Sequence, residues 1–136
     1  MTGAAVPDRA GEAASKISTQ VVALFKEYTG RGPTKCRTTI RDNLVVCLLE
    51  DTLTKAERSL ADVGKEETVR HLRREFQDTM ERDLREVVES QMGRPVIAFM
   101  STNHVEPDYM AEIFVLEESS AEASDDTGTR LHGVPG

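Results

Sequence analysis

The run Leu44-Val45-Val46-Cys47-Leu48-Leu49 constrains the fold of this chain more than any other six residues. A strand sends successive side chains to opposite faces. A strand that is apolar at every position therefore suits the middle of a sheet, covered on both sides. The residues before it, Lys35 to Ile40, are rich in threonine and alternate in character, as a neighbouring strand would. If Asp42-Asn43 is a two-residue turn, Cys36, Thr38 and Ile40 share a face with Val45, Cys47 and Leu49. Arg37, Thr39 and Arg41 then join Leu44, Val46 and Leu48 on the other. A slip of one residue would invert this assignment.

Helical spacing surrounds this hairpin. Ile17, Val21, Leu24 and Tyr28 recur at intervals of three and four and predict a helix over 12–29, stopped by Gly30. Thr54-Lys55-Ala56-Glu57 matches a capping box and predicts a short helix with Leu53, Ala56 and Leu60 inward, broken at Gly64. Val69, Leu72, Phe76, Met80, Leu84, Val87 and Val88 predict a long helix over 65–91, ended by Gly93. Its other face alternates in sign, so ion pairs such as Asp78 with Arg82 and Glu81 with Arg85 account for it. Residues 95–100 and 111–117 read as two more strands around a ten-residue loop. The order α-β-β-α-α-β-β predicts an α+β domain of two layers, with three helices on an antiparallel four-stranded sheet made of two hairpins. The boundaries expected are a disordered segment 1–11, one domain over 12–118 and a disordered acidic tail over 119–136.

Charge and length exclude several classes. The net charge of −7 is concentrated at the end of the chain, where 117–136 hold five acids and one arginine. The body is only mildly acidic and lacks the general basic surface of a nucleic-acid binder. The longest apolar run is Leu44 to Leu49, against the roughly 20 residues a membrane helix needs. A cytoplasmic protein without direct membrane insertion is expected. Cys36 and Cys47 lack zinc spacing and read as packed, reduced thiols, so no metal or other cofactor is expected.

Two stretches carry candidate chemistry. Gly30-Arg31-Gly32-Pro33 is a rigid turn, followed by Lys35, Arg37 and Arg41, with Arg94 beside Gly93 further on. Glycines let backbone amides approach a ligand, and arginine forks match carboxylate, bicarbonate or phosphate oxygens, which makes a small-anion site. It is not a P-loop, because GxxxxGK[ST] is absent. The competing reading is structural: Gly30 ends a helix, Pro33 stiffens the turn, and the cations pair with Asp42, Glu50 and Asp51. The second stretch is Asn103-His104-Val105-Glu106-Pro107-Asp108, where His104 supplies an imidazole, the side chain most often used to exchange protons, and Asp108 is placed to orient it, with Ser101 nearby. The competing reading there is a turn around Pro107.

"KEYTGRGPTKCRTTIRDNLVVCLLEDTLTKAE" together with "GRPVIAFMSTNHVEPD" resembles the small bacterial MpsC-like family over Ile17 to Leu116. Gly30 to Pro33 and Leu53 to Glu57 are the most specific pieces. The resemblance implies association with a membrane-potential-generating, cation-translocating system linked to inorganic carbon uptake, and pairing of two copies. It confers no settled biochemical activity. The function expected is therefore a non-enzymatic accessory or regulatory protein, homodimeric, in contact with a transport-system protein. The alternatives are a hydrolase-like enzyme using His104 and Asp108 beside the arginines, and a nucleotide-binding module.

Overall fold

The computed structural model describes residues 9–118. The elements are α1 (Arg9–Thr29), β1 (Lys35–Arg41), β2 (Leu44–Glu50), α2 (Lys55–Asp62), α3 (Glu66–Met92), β3 (Val96–His104) and β4 (Tyr109–Leu116). This is the α+β arrangement expected, three helices with one antiparallel sheet, and the strand order is β1-β2-β4-β3. The register of the first hairpin is the one expected from the Asp42-Asn43 turn: Cys36 lies opposite Leu49, Thr38 opposite Cys47 and Ile40 opposite Val45.

Caps fix where the helices end. Gly30 takes φ of 81° and donates its amide to Lys26 O at 2.9 Å, a conformation costly for any side chain with a Cβ. Thr54 and Glu57 form both bonds of the capping box at the start of α2. Between α1 and α3 on one side and the sheet on the other lies the core of Ile17, Val21, Phe25, Met80, Leu84 and Val88 against Val45, Cys47, Leu49, Met110, Phe114 and Leu116. Leu53, Val69 and Val105 make a smaller cluster under α2.

Four expectations change. β2 is central, between β1 and β4, but helices cover only one of its faces among the described residues. Helix α1 begins at Arg9, so 9–11 are helical rather than part of a disordered leader. The ten-residue loop shrinks to Val105–Asp108, because β3 and β4 pair out to His104 and Tyr109, and Val105 is buried. On α3, Leu72 is exposed while Arg73 and Gln77 are buried, since the inward line runs Val69, Arg73, Gln77, Met80, Leu84, Val88; Ala56 on α2 likewise faces out. The disorder expected for 1–8 and 119–136 lies outside the described residues.

Candidate functional site

Alternation along β4 turns Met110, Glu112, Phe114 and Leu116 towards the helices. One of the four is a carboxylate. Glu112 is fully buried, opposite Ser101 of β3 and Cys47 of β2. Ser101 Oγ donates to Glu112 Oε1, and Gln77 Nε2 of α3 donates to Oε2 at 3.0 Å. Gln77 and Asn103 exchange amide bonds of 3.3 and 2.9 Å, which fixes Gln77. Among the described residues no cation bonds to Glu112. Burial raises its pKa to about 7, the two hydrogen bonds and the charge of Arg73 opposing that rise and Cys36 adding slightly to it. Gln77, Ser101 and Asn103 of this cluster line a cleft of about 280 Å³ between α3 and β3, together with Arg70, Arg74, Asp78, Glu81 and Thr102. Chemically, the arrangement can hold or release one proton near neutral pH beneath a polar cleft.

A second polar network clamps the end of the sheet where β2 leaves and β4 enters. Arg73 gives two bonds to Glu57, at 2.9 and 3.3 Å, and a third to Thr52 Oγ1 at 2.6 Å. Thr52 donates on to Asp108 Oδ1, and Leu53 N donates to Asp108 Oδ2 at 2.8 Å. Arg58 approaches the same carboxylate at 3.5 Å. These groups tie α2 and α3 to both hairpins. Asp108 is thereby engaged away from His104, whose Nδ1 instead meets the Pro107 carbonyl at 2.8 Å on the exposed turn.

The cations of the first candidate stretch fall into three places. Arg31 pairs with Asp51 at 2.7 Å and donates to the Leu53 carbonyl at 3.2 Å, so it meets Asp108 only through the Leu53 backbone. Gly32 packs closely on α1, where a Cβ would lie 3.3 Å from Val22, and Pro33 is buried. Lys35, Arg37 and Arg41 line the helix-free face of β1, and Arg37 reaches Glu50 at 3.6 Å. Arg94 bonds the Glu117 carbonyl at 2.9 Å and the Asp42 carbonyl at 3.4 Å, at the far end of β2 from Arg31. The five do not share one pocket.

Both cysteines are free thiols on adjacent strands of the covered face. Cys47 donates towards Cys36, which lowers the Cys36 thiol to about 7; that bond and burial push Cys47 up. Thr38 Oγ1 lies 3.4 Å from Cys47 Sγ and 2.7 Å from Ser18 Oγ. Sequence reading passed over Glu112, Arg73, Gln77 and Thr52. The available signal was an acid at an inward position of an alternating strand, and two polar residues at four-residue spacing from Val69.

On the side of the sheet away from the helices, the two middle strands are apolar through three rows. The rows of that side read Arg41, Leu44, Val115, Ala98; then Thr39, Val46, Ile113, Met100; then Arg37, Leu48, Ala111, Thr102; then Lys35, Glu50, Tyr109, His104. Leu44 is 40% exposed, Met100 49%, and Ile97, at the irregularity in β3, 61%. No helix among the described residues is long and apolar enough to cross a membrane.

The molecule is thus a two-layer α+β domain with an open apolar sheet face. Residues 9–118 match the family model described as "Na+-translocating membrane potential-generating system (MpsC)", and the chain belongs to that family. No curated protein and no solved structure matches it. Membership links the chain to a Na+-translocating, membrane-potential-generating system.

Proposed function

We propose that this protein is a non-enzymatic accessory or regulatory module of such a system, working on the cytoplasmic side through protein contacts and as a homodimer. The observation that carries the reading is the open sheet face. Leu44, Val46, Leu48, Ile113, Val115 and Met100 form a contiguous apolar surface, and no helix among the described residues is long and apolar enough to span a bilayer. Surfaces of that kind are kept for partners. The two free thiols fit a reducing compartment. A small oxyanion, bicarbonate or phosphate, is the regulatory ligand in this reading, taken by Lys35 and Arg37, which lie on the same helix-free face of β1.

The test uses inverted membrane vesicles from cells that carry the protein and from cells that lack it, with a potential-sensitive dye. Added Na+ should build a potential in the first. The response should be altered in the second and restored by purified protein, but not by the face variant Ile113→Glu. Equal Na+-dependent potentials in both preparations would refute the reading.

A further inference from the structure

The occupant of the open face is set by how its charges are distributed. Cations lie on one edge strand, β1, at Lys35, Arg37 and Arg41. The two middle strands are apolar through three rows, and the other edge strand, β3, offers Ala98, Met100, Thr102 and His104. Packed sheets lie about 10 Å apart with strands within about 30° of alignment. Two identical faces meet through a twofold axis lying between them. An axis across the strands sets β1 over its own copy, bringing cation against cation and Leu44 against Glu50. An axis along the strands sets β1 over β3 of the second copy and β2 over its β4. Leu48 then faces the small Ala111, Val46 faces Ile113, Leu44 faces Val115, and the long Arg37 faces Thr102. Glu50 comes over Tyr109, a hydrogen-bond donor. In this second arrangement Leu48 and Arg37 meet the smaller Ala111 and Thr102, branched apolar residues meet each other, Lys35 comes over His104, and no lysine or arginine meets another.

Area agrees. Four strands spaced about 4.8 Å apart over about 27 Å of length cover a footprint of roughly 500 Å². Two copies together reach roughly 1,000 Å², the size at which specific interfaces begin. The geometry points to a second copy of this chain as the occupant, stacked face to face with β1 over β3, giving a four-layer α-β-β-α dimer. The inference rests on reading the open face as an interaction surface.

Sedimentation of the full chain across micromolar concentrations tests it. The wild type should show twice the 15.0 kDa chain mass. Met100→Glu and Ile113→Glu should be monomeric with unchanged circular dichroism; Met100 is half-exposed in the single chain, so that variant keeps its fold even if the other does not. Stacking order is read from Thr102. Thr102→Glu should tighten the dimer roughly threefold, because each new carboxylate meets Arg37 of the other copy, and Thr102→Lys should loosen it comparably. A wild-type monomer at about 100 μM, a dimer indifferent to both glutamate variants, or tightening by Thr102→Lys would overturn the proposal. If the wild type is monomeric while Ile113→Glu still fails in the vesicle assay, another protein uses the face: the dimer falls and the accessory reading stands. A dimer behaving as expected, with vesicle potentials that never depended on the protein, supports the stacking and removes the accessory reading.

Discussion

Replacing Glu112 with glutamine should make this protein more stable at pH 8 and barely change it at pH 5. The carboxyl is fully buried, and its partners are the Ser101 hydroxyl and the Gln77 amide. Its folded pKa is raised from 4.5 to about 7. A raised acid binds its proton more tightly in the folded state than in the unfolded chain. Between pH 4.5 and 7 the folded state therefore holds more protons, and stability falls as pH rises. At about 1.36 kcal/mol per pH unit, the full loss is about 3 kcal/mol by pH 8 and under about 1 kcal/mol at pH 5. Glutamine reproduces the protonated form. Its carbonyl accepts from Gln77, and its amide donates to Ser101 once that hydroxyl turns to accept. Urea unfolding at the two pH values measures the difference. A Glu112→Gln variant that is weaker than the wild type at pH 8 would show that the ionised carboxylate is stabilised, and the argument would fail.

Three further outcomes are expected. Arg73→Ala should cost about 3–5 kcal/mol in urea unfolding, because it strands the buried Glu57 carboxylate, while Arg73→Met combined with Glu57→Leu should cost less than Arg73→Ala alone. Gly30→Ala should cost about 1 kcal/mol through its φ of 81° alone, since a Cβ there meets no atom within 4 Å; a loss several times larger in the same assay would mean a contact is involved. On the oxyanion reading, bicarbonate or phosphate should raise the melting temperature above a chloride control of equal ionic strength, and Lys35→Ala with Arg37→Ala should remove the gain; no shift in the wild type would retire that reading.

The sequence was most legible where one local signal decided the outcome. Helical spacing, the Thr54–Glu57 capping box and the glycine stops at Gly30 and Gly93 placed the helices to within a few residues, because each is set by its own backbone groups. The first hairpin's register followed from its turn. The strand order depends on β2 meeting β4 across about 65 residues of chain, and no local pattern carries that. The polar network was illegible for a related reason. Arg73 looks like one more charge on a charged helix until Glu57, Thr52 and Asp108 arrive from three other segments to receive it. His104 and Asp108 looked like a pair because they are neighbours in sequence, yet the end of the sheet claims Asp108 for Thr52 and Leu53.

The uncovered face of the sheet is more apolar at its centre than a face left to water commonly is. On the covered side lie Thr38, Ser101, Asn103 and Glu112 among the apolar residues; on the uncovered side the middle strands are apolar through three successive rows. An antiparallel sheet with one face in water commonly alternates apolar inward and polar outward. β2 breaks that rule completely, with Leu44, Val46 and Leu48 turned away from the helices. Its composition makes sense if the domain's apolar surface was only half used by its own helices. The charges support the same view, because they are kept to the margins of the open face, at β1 and in the last row, where a rim would be. The buried carboxyl adds a constraint on the covered side. Ser101, which bonds Glu112, lies between Met100 and Thr102 on β3, so a change in the Glu112 proton state is expected to reach the open face through that strand. Dimer affinity should therefore change between pH 5 and pH 8 in the wild type and lose that dependence in Glu112→Gln. A pH response equally strong in both proteins would locate the titrating group elsewhere and leave the open face independent of the buried acid.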